Sequence, residues 1–200
     1  MEYSSVAIGK AVEGLSKFPG IGKKTALRMA LYLLRSEKQV TLDLAKALVS
    51  LVEDVVFCER CFHISEKKIC GICENSARDQ KTICVVKDFQ DVFAIESTSY
   101  YKGIYHVLNG LISPLEGISP EKLTVAALLK RVEEEEIEEV ILALPATMDG
   151  DTTSHYLVNK LEEARRIKIT TISRGISVGG ELDYVDELTL ARSIIDRKNY

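Results

Sequence analysis

Apolar residues recur at helical spacing near the start of the chain: Ile8, Val12 and Leu15, then Ala26, Leu27, Met29, Ala30, Leu33 and Leu34. Between the two runs lies Phe18-Pro19-Gly20-Ile21-Gly22-Lys23-Lys24-Thr25. Pro19 closes the first helix, and Gly20 and Gly22 allow a sharp turn with exposed amides. A third helical run covers 42–56, where Leu44, Leu48, Leu51, Val52 and Val55 form a stripe expected to be buried against the first two helices. After residues 75–79 the period changes. Segments 82–87 (TICVVK), 104–109 (IYHVLN), 139–144 (EVILAL) and 168–173 (KITTIS) are short, β-branched and apolar. Helical stretches lie between them at about 89–97, 121–136 and 152–165. This alternation predicts a mostly parallel sheet covered on both faces. A last short helix is expected at about 187–197, and the pattern leaves open whether it docks on a neighbouring subunit.

Residues 58–73, CERCFHISEKKICGIC, fit neither period and hold four of the five cysteines as two Cys-x-x-Cys pairs, Cys58 with Cys61 and Cys70 with Cys73. Each pair can form a tight knuckle, and two knuckles complete an all-sulfur tetrahedral shell suited to Zn2+. The eight-residue connector is too short to build an apolar core, so this segment needs an internal staple. Two redox or disulfide pairs are the competing reading of the same spacing. His63 lies between the knuckles and reads as a bystander, because four sulfurs fill the shell. A filled shell makes the metal structural, with no open position for water. Cys84, inside ICVV, reads as a small buried core residue.

The 200 residues carry a net charge of −4, which argues against a uniformly basic surface. The distribution is uneven. Lys10, Lys17, Lys23, Lys24, Arg28 and Arg35 face only Glu2 and Glu13 in the first 35 positions, whereas 133–139 holds six glutamates around Ile137, read as a solvated helix face. A mean hydropathy of +0.03 and the absence of an apolar run near ~20 residues exclude a helical membrane span. The opening MEYSSVAIGKAVEG has no charged-then-apolar signal pattern; together with cysteines at metal spacing this predicts a reducing, cytoplasmic setting. The stretch 173–186 is glycine-rich but lacks G-x-x-x-x-G-K-[ST], so nucleotide binding is not supported.

The amides after Pro19 lie at a helix N-terminus, where the dipole and unpaired N–H groups favour an anion. Lys23, Lys24 and Arg28 stand beside them, and the i, i+4 spacing from Lys24 to Arg28 puts both on one helical face. The pattern resembles the helix-hairpin-helix motif, which grips a DNA backbone without reading bases; an ordinary glycine turn with solvated lysines is the plainer reading. Further along, Asp149-Gly150-Asp151 follows the third strand, and two carboxylates in a glycine turn could share one hard cation. The plainer reading is a surface turn capping a helix that begins near Thr152. The site resembles that of Toprim domains, which add a glutamate at the end of the first strand. Here that place holds Lys87, which repels Mg2+, and the neighbouring Asp88 is a poor substitute. A Toprim-like fold without Toprim chemistry is therefore expected.

Taken in order, FPGIGKKTALRMA, the paired cysteine knuckles, YHVLNGLISPLEGISPEKL and SRGISVGGELDYVDELTL resemble the RecR family of bacterial recombination mediators over essentially the whole chain. The chain departs from the family in reading Leu144-Pro145-Ala146-Thr147 and Asp149-Gly150-Asp151 where a T-N-P-T and an E-G-E are usual, and in Lys87. The resemblance implies a multidomain α/β chain. Its parts would be a helix-hairpin-helix region at 1–55, a four-cysteine zinc module at 56–79, a Toprim-like, mostly parallel α/β domain at 80–174, and a glycine-rich tail with a short helix at 175–200 that serves oligomerisation. It further implies a non-enzymatic DNA-binding mediator, a ring-shaped homotetramer that acts with RecO and RecF to help load RecA onto gapped or single-stranded DNA. Carried onto this sequence, DNA contacts fall on Gly20, Gly22, Lys23, Lys24 and Arg28. Zinc falls on Cys58, Cys61, Cys70 and Cys73, one ion per chain. Contact with RecO falls on the acidic residues Glu96, Asp149 and Asp151. Rival functions are a metal-dependent Toprim-type nuclease or nucleotidyl-transfer enzyme, resting on Asp149 and Asp151, and a zinc scaffold that binds only proteins.

Overall fold

A computed structural model describes residues 5–197, and the chain divides into two compact units at Val55/Val56. In the first unit α1 (Val6–Leu15) and α2 (Lys23–Arg35) form an antiparallel pair, followed by α3 (Lys38–Glu53). The pair closes around Val12, Ala26 and Ala30, with Ile8, Leu15, Ile21 and Leu27 packed on them. The two alanines hold α1 and α2 close together. The expected burial of the α3 stripe is not found: Leu44, Leu48, Leu51 and Val52 are exposed, and α3 buries no residue. Periodicity marks a face that avoids water but does not say what covers it, and in this chain α1 and α2 do not.

The second unit begins with the cysteine segment. A two-stranded antiparallel ribbon, β1 (Val56–Phe57) with β2 (Ile64–Ser65), precedes a single helical turn, α4 (Gly71–Glu74). The sheet that follows consists of β3 (Asp79–Val86), β4 (Gly103–Val107), β5 (Glu139–Ala143) and β6 (Lys168–Thr171), all parallel, in the order β4-β3-β5-β6. The connecting helices are α5 (Phe89–Ser97), α6 (Val125–Glu134) and α7 (Met148–Ala164), and α8 (Glu187–Ile195) closes the described chain. On one face Ile83, Val85, Ile104, Val140 and Leu142 meet Leu128 and Val132 of α6 and Leu157 and Leu161 of α7. On the other, Cys84, Val86, Tyr105, Val107 and Ala143 meet Val92 and Ile95 of α5, together with Phe62 and Ile72 of the cysteine segment. The second cover is thus part helix and part cysteine module. Cys84 is buried, and burial pushes its thiol up to about 12.

Two sequence expectations are corrected here. Only Glu133 and Glu134 of the glutamate run lie on a helix, where both are exposed. α6 stops at Glu134 because Ile137, fully buried, turns inward to join the core, and Glu135–Glu138 become the connection to β5. Glu138 pairs with Lys81, and Glu139 accepts from Lys168 and Thr170. The Asp149-Gly150-Asp151 segment is not a turn before a helix; it is the first turn of α7, capped by Thr147, whose Oγ1 accepts from the Gly150 amide.

Strand β4 is an edge strand, and its open side is occupied. The Val107 amide donates to the Cys61 carbonyl at 2.8 Å, Arg131 donates to the Tyr105 carbonyl at 2.9 Å, and the Thr124 hydroxyl donates to the Val107 carbonyl at 2.7 Å. His106 sits beneath, fully buried, with Nε2 at 3.1 Å from the Thr124 carbonyl and Nδ1 at 3.3 Å from Arg131. Burial, then the Arg131 charge, lowers its pKa to about 3.

Leu128→Ala is expected to lower the unfolding free energy by about 2–5 kcal/mol, read as an earlier urea midpoint with an unchanged slope. His106 gives a pH signature. Its folded pKa lies below its ordinary value, so the unfolded chain binds the extra proton, and stability is full above about 6.5 and declines as pH falls towards about 3. Between about pH 7 and 5, above the carboxylate range, His106→Gln should flatten the fall of unfolding free energy with acid; an unchanged slope would contradict this.

Candidate metal centre and nucleic-acid interface

The four sulfurs of Cys58, Cys61, Cys70 and Cys73 lie within 4.8 Å of one another, and all four residues are buried. Backbone geometry brings them there. In the first knuckle the Cys58 amide donates to the His63 carbonyl at 2.8 Å and the Phe62 amide to the Cys58 carbonyl at 2.9 Å, with Phe62 left-handed at φ 63°. In the second, the Glu74 amide donates to the Cys70 carbonyl at 3.0 Å. The knuckles face each other: Sγ of Cys61 and Cys70 are 3.5 Å apart, and the Cys70 amide donates to Cys58 Sγ at 3.3 Å. Such crowding fits a cation better than four thiols. Hydrogen bonds from Cys61 and then Cys73 hold the Cys70 thiol far below its ordinary range, while the bond to Cys70 pushes Cys61 far up. A divalent ion held by the four sulfurs would displace their protons. His63 offers no ligand to the cluster; its ring packs edge-on against Phe93 at 5.3 Å.

In the first unit, Gly20 has φ +76°, which a residue with a side chain rarely adopts, and the Ile21 amide closes the turn on the Phe18 carbonyl at 3.1 Å. Gly22 is the N-cap of α2, with ordinary backbone angles and open space where a Cβ would stand. It supplies no side-chain cap, so the first-turn amides of α2 stay available. Lys23, Lys24 and Arg28 are exposed around them, and none is in an ion pair among the described residues. Gly20, Gly22, Lys23 and Lys24 lie at the N-terminal end of α2, and Arg28 follows one turn after Lys24 along the helix.

The acidic residues are not brought together. Asp149 and Asp151 are two residues apart on a helix, so their side chains diverge by about 200°. Arg174 takes Asp151 at 2.6 Å and lowers its pKa. At the end of β3, Lys87 Nζ lies 3.7 Å from Asp88, and Asp88 caps α5 by accepting from the Gln90 amide at 2.8 Å. Asp91 completes that capping box. Glu96 is half-buried and already engaged. Both its oxygens meet Arg78, and the Tyr105 hydroxyl donates to it at 2.7 Å. That arrangement suits an internal brace and leaves little of Glu96 for a partner.

Sequence reading missed Arg60, Arg131 and Glu135. The Arg60 guanidinium grips Glu135 with Nε at 3.1 Å and Nη2 at 2.8 Å, although 75 positions separate them along the chain. Its Nη1 donates to the Cys73 carbonyl at 3.1 Å. Nothing in a single sequence marks such a pair. Gly150, a turn glycine by sequence, has another role in the fold: a Cβ there would stand 2.0 Å from the Pro145 carbonyl oxygen.

These observations define a modular protein that joins a helical hairpin, a four-cysteine metal module and a Toprim-type parallel sheet. Family models match in the same order: the RecR helix-hairpin-helix over residues 8–52, the RecR four-cysteine zinc finger domain over 55–75, the Toprim domain over 81–173 and the RecR C-terminal region over 175–198. The chain is 53% identical to a recombination protein RecR of Flavobacterium johnsoniae over 98% of this chain and 95% of that one. It is 50% identical to that of Amoebophilus asiaticus over the full length of both, and 49% identical to that of Porphyromonas gingivalis over 100% of this chain and 96% of that one. The chain belongs to the RecR family. Its four cysteines form a structural zinc site, which replaces the core that so short a segment lacks.

Cys70→Ser should yield protein with far less than one zinc per chain by elemental analysis and a lowered melting temperature. A metal-free variant with wild-type thermal stability would count against a structural metal.

Proposed function

We propose that this protein is a sequence-independent DNA-binding recombination mediator that makes and breaks no covalent bonds. The observation that carries this reading is the N-terminus of α2, where uncapped amides, Gly22 with open space above it and three exposed cations form a surface suited to a phosphate. Gly20 and Gly22 shape the approach, and Lys23, Lys24 and Arg28 supply charge. Membership of a family whose relatives carry the name recombination protein supports a role in recombinational DNA repair. Acting with RecO and RecF to help load RecA on gapped or single-stranded DNA is the finer form of the same proposal.

A homotetrameric ring accounts for surfaces that one chain leaves uncovered. The first unit has a small core, and Leu34, Leu48, Val49, Leu51 and Val52 stand exposed beside it. In the tail, Leu182, Tyr184, Leu188 and Ile195 are also exposed. Apolar faces of this kind mark association surfaces. Several hairpins acting together would strengthen weak phosphate contacts. The functional division is then hairpin, 1–55; zinc module, 56–79; Toprim-like domain, 80–174; oligomerisation tail, 175–200. Of the acidic residues considered for RecO, exposed Asp151 and half-buried Asp149 in the first turn of α7 remain candidates, and half-buried Glu96 also serves as a brace. Among the described residues no helix is long and apolar enough to cross a membrane, and a cytoplasmic place is part of the proposal. A metal-dependent nuclease is disfavoured by Lys87 at the strand end, by Asp88 acting as a cap and by the divergence of Asp149 from Asp151.

Lys23→Ala with Arg28→Ala should weaken duplex binding in a gel shift or anisotropy titration. The slope of log affinity against log salt should become shallower by about 0.9 for each phosphate contact removed. Unchanged affinity and slope would refute the assignment of the hairpin.

A further inference from the structure

We propose that Arg60 and Glu135 are positioning residues for the zinc centre, and that through them metal occupancy and the pairing of edge strand β4 become one coupled equilibrium.

The route is a continuous chain of hydrogen bonds. It starts at the carbonyl of the ligand Cys73, which accepts from Arg60 Nη1 at 3.1 Å; the same nitrogen reaches Gln80 at the head of β3 at 2.8 Å. The other side of the guanidinium forms a two-point fork on Glu135. Arg131 Nε, at 3.3 Å, shares Glu135 from α6. Arg131 then donates to the Tyr105 carbonyl of β4 and meets His106. A second, direct link runs from the carbonyl of the ligand Cys61 to the Val107 amide. Each knuckle therefore holds the same edge strand, one directly and one through three charged side chains.

The charges explain why the middle of the chain matters. Glu135 is one carboxylate between two guanidiniums, and the Arg131 side chain is only 8% exposed. Arg131 Nη2 is buried with no acceptor, so this cation depends on Glu135 and on β4 for its partners. Removing Glu135 would leave two cations facing each other and push the first knuckle away from α6. By linkage, whatever factor zinc contributes to β4 protection, the intact latch must return to zinc affinity. Partners of this outer kind typically change metal affinity about 10–100-fold.

The test uses the full-length chain loaded with zinc. The rate and extent of zinc transfer to a chromogenic chelator are compared for wild type, Glu135→Gln, Arg60→Met and the exposed control Glu138→Gln. Amide hydrogen exchange at Val107 is followed before and after chelation. Glu135→Gln and Arg60→Met should release zinc at least about 10-fold more readily, Glu138→Gln should behave as wild type, and chelation should expose the Val107 amide. If Glu135→Gln does not fold, Arg60→Met, which breaks the fork and leaves Glu135 paired with Arg131, carries the test, and it should fold and still lose zinc readily. Wild-type zinc retention in the fork variants, or a Val107 amide whose protection is unaffected by chelation, would overturn the proposal.

Discussion

A parallel sheet must end somewhere, and at β4 this one ends against the zinc module. The outward amide of Val107 and the carbonyl of Tyr105 would otherwise be left to water or to another chain's strand. Here a cysteine carbonyl and a buried guanidinium take them. The module can do this only while its two knuckles are held in register, and so short a segment has no apolar core to hold them. Four sulfurs around one cation supply what is missing. Phe62 and Ile72 then become a lid on one face of the sheet. Zinc finger and Toprim-type sheet are accordingly neighbours in one packed unit whose metal has consequences outside its ligand shell.

The first unit follows the opposite economy. Its core rests on Val12 and two alanines, and its longest helix turns leucines and valines outward. Such an element gains stability from a partner surface more readily than from itself, which fits the proposed ring. Lys23, Lys24 and Arg28 of the same unit make no ion pair among the described residues, which fits the proposed contact with a phosphate backbone. In the proposed function the apolar face serves assembly and the cationic end nucleic acid.

The Toprim-type part shows how a fold can persist while a site is changed. The strand order and the helix after β5 are in place, but most of the acidic groups near the strand ends have another occupation. Asp88 and Asp91 cap α5, Asp151 pairs with Arg174, and Lys87 occupies the strand end. Position on the fold alone would have suggested a cation site; hydrogen-bond partners give a different account.

The sequence by itself determined whatever depends on short spacing. Cysteine intervals identified the metal module, Pro19-Gly20 the hairpin, and apolar runs the four strands, because each rests on backbone geometry within a few residues. Helix α5 could be read to the residue, since its cap lies next to its first turn. The burial of α3, the end of α6 at Glu134 and the Arg60–Glu135–Arg131 chain could not be read. In each case the deciding partner is remote: the surface that covers a stripe, the core that draws in Ile137, or a carboxylate 75 residues away. Local pattern records which groups must leave water or find a partner; only the folded chain selects the partner, because proximity in space is created by the fold.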